Sequence, residues 1–219
     1  GGDTLSVPVE LAYKVTAYLG AITPVIYRLN SRSWHKRKAR AKADAELFAR
    51  DLLATAAARQ AVDRSAYIIN GPVEQDLRRT FPHQLTVDQA AAWEDIKHDL
   101  QETTPMDRLV VGDVGFGKTE LAIRAARHAV QNGYQVALLA PTTLLVQQHS
   151  DTFQARFKGS GLNIATLSRY ATRQQLLKIR RQLGDGTADV AIGTHALLSS
   201  ATKWRKLGLV IIDEEQRFG

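Results

Sequence analysis

Gly112-Asp113-Val114-Gly115-Phe116-Gly117-Lys118-Thr119 is the stretch whose reading decides the fold. It fits the spacing G-x-x-x-x-G-K-[ST] of a phosphate-binding loop. Ahead of it, Arg108-Leu109-Val110-Val111 is a short apolar run that predicts a strand. Behind it, Glu120 to Val130 has the periodicity of a helix. Strand, glycine-rich loop and helix in that order form the context in which the motif carries meaning. Glycines let backbone N–H groups turn in around a polyphosphate, and the helix that follows aims its positive end at the same point. Lys118 is then expected to reach the β- and γ-phosphates, and the Thr119 hydroxyl to sit on Mg²⁺. The whole run Gly112, Asp113, Val114, Gly115, Phe116, Gly117, Lys118 and Thr119 becomes the candidate nucleotide cradle.

Working outward, a second signal lies at Leu209-Val210-Ile211-Ile212-Asp213-Glu214-Glu215-Gln216. Four apolar residues predict a buried strand that ends in carboxylates. In open α/β sheets ligands bind beyond the carboxyl ends of the strands. Asp213 is therefore expected beside the phosphate loop as a second Mg²⁺ contact, with Glu214 placed to orient or deprotonate the water that attacks the γ-phosphate. Phosphoryl transfer is catalysed mainly by positioning and charge neutralisation, and Lys118, Asp213 and Glu214 supply both.

Between the two signals strands and helices alternate. Strands are expected at 135–140, 163–167, 188–192 and 207–212, and helices at 142–157 and 172–183, the second ended by Gly184. Strand runs this apolar are covered on both faces, so the fold class is α/β: a central, mostly parallel sheet with helices on either side. Ahead of this region Thr86 is a plausible N-cap for a helix running to Leu100, and Asn70-Gly71-Pro72 reads as a break. Residues 34–60, rich in Ala, Arg, Lys and Leu with no Gly or Pro, predict one long helix. Its front half is basic, and Leu47, Phe48, Leu52 and Leu53 give it a narrow apolar face. Thr4 to Val9 reads as a short extended segment and Glu10 to Leu19 as one further helix.

Gln89 lies upstream of the loop with Phe81 eight positions before it. An amide can pair with N6 and N7 of adenine and an aromatic ring can stack on the base, which would select ATP; the same residues also suit an exposed glutamine and a core phenylalanine. Pro141-Thr142-Thr143, Ser168-Arg169 and Gly193-Thr194-His195 all follow expected strands. They should open on the loop's side of the sheet, either as helix caps or as contacts to a phosphate backbone.

Composition bounds the partners. The net charge of +7 over 219 residues hints at a polyanion. No run of about 18 apolar residues predicts a membrane span. Cysteine is absent, which excludes disulfides and thiolate zinc sites and suits a cytoplasmic protein. The N-terminus lacks a signal peptide and a Met, as expected of a processed or excised piece.

These blocks, in this order, resemble the superfamily 2 helicases and translocases, and among them the bacterial transcription-repair coupling factor family. The segments that carry the resemblance are FPHQLTVDQ, MDRLVVGDVGFGKTELAIRAA, APTTLLVQQH, ATLSRYAT, IGTHALL and LGLVIIDEEQRFG. Phe116 and the DEEQRFG ending favour it over RecG, a fork-remodelling helicase. The resemblance implies a RecA-like ATP-binding domain over 80–219, preceded by a helical connector at 21–79 and, at 1–20, the tail of an RNA-polymerase-interacting domain. It makes ATP and Mg²⁺ the cofactors, Phe81 and Gln89 adenine contacts, and Thr142, Thr143, Arg169, Thr194 and His195 candidate DNA contacts. The implied activity is ATP-driven translocation on double-stranded DNA that displaces a stalled RNA polymerase and recruits an excision-repair damage-recognition protein. The latter's binding region, a second RecA-like domain and its arginine finger are expected outside this stretch. Since such a finger is worth about 10³–10⁵ in rate, the piece alone is expected to bind nucleotide weakly and turn over poorly. Two other readings stay open: a RecG-like fork remodeller, and a non-hydrolysing module that binds DNA or polymerase. A kinase or GTPase is disfavoured by the DEEQ box and by the lack of an N-K-x-D motif.

Overall fold

The computed structural model describes residues 6–17, 19, 31–113, 115–167 and 171–217. The chain divides into two compact units, Gly1–Ala61 and Val62–Gly219. In the first unit a 3-10 helix, Val9–Lys14, stands where a longer helix was expected, and Val15 after it is already extended. Helix α1 spans Arg32–Ala61 without a break, as a stretch of strong helix formers should. None of its residues is buried.

The second unit holds the sheet. It contains α2 (Gly71–Thr80), α3 (Val87–Gln101), α4 (Lys118–Gln131), β1 (Gln135–Leu139), α5 (Thr143–Arg156), β2 (Ile164–Leu167), α6 (Arg173–Asp185), β3 (Val190–Gly193) and β4 (Leu207–Ile212). The strand order is β2-β3-β1-β4 and every pairing is parallel. Strand and helix alternate along the chain, and a parallel strand pair needs such a crossover. Odd and even strand positions feed opposite layers. Val136, Leu138, Val190 and Ile192 pack with α2, α3, α4 and α5, while Leu139, Ala165, Leu167 and Ala191 pack with α6.

Helix starts follow local chemistry. The Thr86, Thr142 and Thr172 hydroxyls accept from the backbone N–H groups of Gln89, Leu145 and Gln175, and Thr86 and Thr172 complete capping boxes. Asn70, within the expected break, caps α2 by accepting from Val73 N–H. Helix α6 runs through Gly184 and stops at Gly186, which adopts the left-handed conformation that terminates helices.

Two expectations are corrected. Residues 108–111 form no sheet ladder; they run extended without a strand partner. Arg108 is instead held to α3 by a two-pronged pair with Asp99 (2.5 and 3.0 Å), and only Val110 of the run turns to the core, leaving Leu109 and Val111 exposed. As a result β4 lies at the sheet edge. It is not the buried strand that its composition suggests: Leu209 is buried, but Val210 and Ile212 are about half exposed. Residues 62–79 also pack with the sheet. Arg64 donates to the Asp99 and Leu100 carbonyls, the Tyr67 hydroxyl donates to the Gly208 carbonyl at 2.8 Å, and Val73 and Leu77 of α2 are core residues.

Candidate nucleotide site

The parallel register aligns the carboxyl ends of the strands. Leu139 stands opposite both Gly193 and Ile212, and Leu167 opposite Gly193. Pro141 to Thr143, Thr194 to His195 and Asp213 to Gln216 therefore leave the sheet at one edge. The backbone continues the match, since Asp213 N–H donates to the Leu139 carbonyl at 2.9 Å.

The glycine-rich loop is shaped by Gly115 and Gly117, both with positive φ (86° and 74°). Gly117 also precedes α4 without a side-chain cap, so the first N–H groups of that helix stay available to an anion. A Cβ at Gly117 would lie 2.5 Å from Gln89 Nε2. Side chain and loop are in contact there because Gln89 Nε2 donates to the Phe116 carbonyl at 2.7 Å. The same amide's oxygen accepts from Thr86 N–H at 2.9 Å. Gln89 thus caps α3 and holds the loop at once. Lys118 curls into its own loop, donating to the carbonyls of Gly112 and Asp113.

Lys118 and Thr119 share a cleft of about 990 Å³ with His149, Asp213, Glu214 and Gln216, while the far end of the cleft is apolar, lined by Ile96, Leu100 and Leu138. Asp213 is anchored by His149, whose Nε2 lies 2.8 Å from Asp213 Oδ2. Glu214 sits at φ 56°, and it is the one non-glycine residue with positive φ among the described residues. That conformation costs about 1–2 kcal/mol, and such strain concentrates at functional sites. The Gln216 amide donates to Glu214 Oε2 at 2.6 Å and holds the strained residue's carboxylate.

Behind the loop lies a charged cluster whose link to α5 sequence spacing does not reveal. Glu120, the residue after Thr119, is buried and receives both Arg124 (2.9 Å) and Arg156 of α5 (2.8 Å). The two guanidiniums also lie over the Phe81 ring, at 5.8 and 5.4 Å from its centroid. Phe81 is thereby half-buried against cations. A second buried pair, His128 and Glu74 (2.8 Å), joins α4 to α2, with Trp93 stacked on the imidazole. Burial works to raise the Glu74 carboxyl, but the hydrogen bond and charge of His128, helped by Trp93 and Lys97, prevail and hold it below the usual carboxylate range.

The structure brings Lys118, Thr119, Asp213 and Glu214 to one cleft and sets Gln89 against the loop. Phe81 and Gln89 do not line that cleft. Of the candidate DNA contacts, Thr142 is exposed and caps α5, Thr143 is half-buried, Thr194 is buried and His195 exposed, all at the strand-end edge. Val114 and Arg169 lie outside the described residues. Sequence reasoning missed His149, Glu120 and Arg156. The first two adjoin recognisable motifs and Glu120 stands four positions before Arg124 on one helix, but no spacing rule links His149 to Asp213 or Arg156 to Glu120.

A donor set of one hydroxyl and one carboxylate fits Mg²⁺, which keeps several waters and binds through one or two carboxylates plus substrate phosphates. No group of three or more His, Cys, Asp or Glu side chains that could hold a metal ion occurs among the described residues. No described helix is long and apolar enough to cross a membrane.

Known proteins resemble this chain. The transcription-repair-coupling factor of Bacillus subtilis (strain 168) is 43% identical over 221 residues, covering 100% of this chain and 19% of that protein. That of Mycobacterium tuberculosis (strain CDC 1551 / Oshkosh) is 42% identical over 217 residues, covering 99% and 18%. The chain thus spans about a fifth of the length of these curated relatives. Among solved structures, RecG bound to a three-way DNA junction superposes with a TM-score of 0.71 at 34% identity, over 85% of this chain and 26% of that one. A hypothetical ATP-dependent RNA helicase from Sulfolobus tokodaii shares the fold, with a TM-score of 0.51 at 19% identity over 68% and 42%. The family model described as DEAD/DEAH box helicase matches residues 86–219, and the chain belongs to that family.

Proposed function

We propose that this chain is the first motor domain of an ATP-dependent double-stranded DNA translocase of transcription-coupled excision repair, a cytoplasmic machine that displaces stalled RNA polymerase. The observation that carries the reading is the convergence of Lys118 and Thr119 with Asp213 and Glu214 in one cleft. The near-complete match of this chain to transcription-repair-coupling factors supports the choice of machine. In this reading residues 80–219 bind the nucleotide, residues 21–79 are the helical connector, and residues 1–20 belong to a polymerase-interacting domain. RNA polymerase and an excision-repair damage-recognition protein are the partners.

The loop N–H groups and the start of α4 bind the phosphates. Lys118 exchanges its two carbonyl partners for phosphate oxygens. Thr119 and Asp213 would hold Mg²⁺, which would supply charge neutralisation to the nucleotide phosphates. Glu214 positions the attacking water and accepts its proton. Gln89 and Phe81 border the base. Thr142, Thr143, Thr194 and His195 at the strand-end edge meet the DNA backbone, together with Arg169, and the chain's net charge of +7 favours a polyanion.

The test is ATP binding and DNA-stimulated hydrolysis by the chain and by the longer protein that carries it, each with and without Lys118→Ala. Loss of both in the variant is expected; activity that survived the change would sink the mechanism. The RecG-like structure supports a second reading, fork remodelling. Stimulation by branched DNA well above that by linear duplex would favour it.

A further inference from the structure

The proposed nucleotide site contains a contact that the phosphate loop and the acidic box do not explain: the imidazole of His149 on the carboxylate of Asp213. We propose that His149 is a positioning residue that fixes the Asp213 carboxylate for the nucleotide-bound Mg²⁺. The proposal rests on the nucleotide reading above and deepens it.

A carboxylate only accepts, so His149 Nε2 carries the proton and donates at 2.8 Å to Oδ2. Among the described residues nothing else bonds the other carboxylate oxygen, which leaves that oxygen for a cation or its water. The two residues come from different elements. His149 lies on α5, whose Val146, Ser150 and Phe153 are buried, so its backbone is held by packing. Asp213 lies just past β4, at the exposed edge of the sheet, where the backbone has one bond, to Leu139. Strand β1 and helix α5 are consecutive, so a single β–α unit clamps Asp213 twice, by main chain through Leu139 and by side chain through His149. Both partners are largely withdrawn from solvent (12% and 27% side-chain exposure), which strengthens the bond relative to one in water. Partners that orient a metal-binding carboxylate typically matter about 10–100-fold in metal affinity or activity.

His149→Ala and His149→Gln are compared with the unaltered chain by titrating a fluorescent ATP analogue with and without Mg²⁺, and by melting each protein without ligand. Glutamine offers an N–H donor near the position of Nε2. The unaltered chain should bind more tightly with Mg²⁺. In His149→Ala the Mg²⁺ concentration for half-maximal enhancement should rise by about tenfold or more, with Mg²⁺-free binding and the melting temperature little changed, and His149→Gln should recover much of the loss. Equal Mg²⁺ dependence in all three proteins overturns the positioning role while leaving the nucleotide site intact. An unaltered chain with no Mg²⁺-dependent binding overturns the nucleotide reading itself. Should His149→Ala not fold, His149→Leu, which fills the space without an N–H donor, decides: a Mg²⁺ response as poor as that of Asp213→Ala supports the role, and a response equal to that of the unaltered chain overturns it.

Discussion

The side-chain amide of Gln89 donates to the carbonyl of Phe116 while accepting from the backbone of Thr86, so one residue ties the start of α3 to the phosphate loop. The two bonds use different atoms and can be separated. In Gln89→Glu the oxygen that caps Thr86 remains, since glutamate serves equally in a capping box, but the donor to Phe116 is gone. Stability to urea should stay within about 1 kcal/mol of the parent. Nucleotide affinity should fall at least about tenfold, or ~1.4 kcal/mol. Unchanged affinity in a binding titration would show that the contact does not hold the loop in its binding form.

Glu120 neutralises two arginines from different elements, the buried Arg124 on its own helix and the half-buried Arg156 on α5. Removing the charge leaves both guanidiniums, one of them buried, beside a neutral group. Glu120→Gln should therefore cost about 3–5 kcal/mol in urea unfolding. Arg156→Met keeps one arginine for one carboxylate and should cost less. The reverse ranking would mean that Arg156 acts through its bonds to Thr80 and the Leu77 carbonyl rather than through the pair.

Glu74 makes acid stability predictable in sign. Its carboxyl is held below the ordinary range in the folded protein. A depressed folded value stabilises above the unfolded value of about 4.3 and loses that contribution as pH falls through the folded value. Glu74→Gln should be less stable than the parent at neutral pH by about 1.5–3 kcal/mol, the worth of a hydrogen bond to a charged group. The gap should narrow steadily in unfolding curves taken below about pH 4.3. A gap independent of pH would assign the effect to packing against Trp93.

Gly193 ends β3 where the strands crowd together. A Cβ there would meet the Leu167 carbonyl oxygen at 2.7 Å and Leu197 Cγ at 3.0 Å. Gly193→Ala should destabilise by about 1–3 kcal/mol, as overpacking does, and thermal unfolding would measure it. Because Thr194 follows directly, weaker DNA binding should accompany the loss. DNA binding that fell without any loss of stability would indicate direct contact by the backbone.

Local signals carried much of the fold. The loop from Gly112 to Thr119, the caps at Thr86 and Thr142, and the alternation of apolar strands with helices were legible because each depends on residues a few positions apart. The Asp213–Glu214 pair was legible for a related reason: a parallel sheet delivers the carboxyl ends of its strands to one edge, so a strand's last residues reveal where they emerge. What only the tertiary structure decided are the contacts between distant elements. His149 reaches Asp213 across 64 positions and Arg156 reaches Glu120 across 36, and neither distance has a period that a sequence displays. The apolar runs at 108–111 and 209–212 show why composition alone misleads. Both look like buried strands, yet Arg108 is drawn to Asp99 on α3, the ladder does not form, and β4 becomes an edge. Strand propensity states that a segment can pair; the competing contacts of its neighbours decide whether it does.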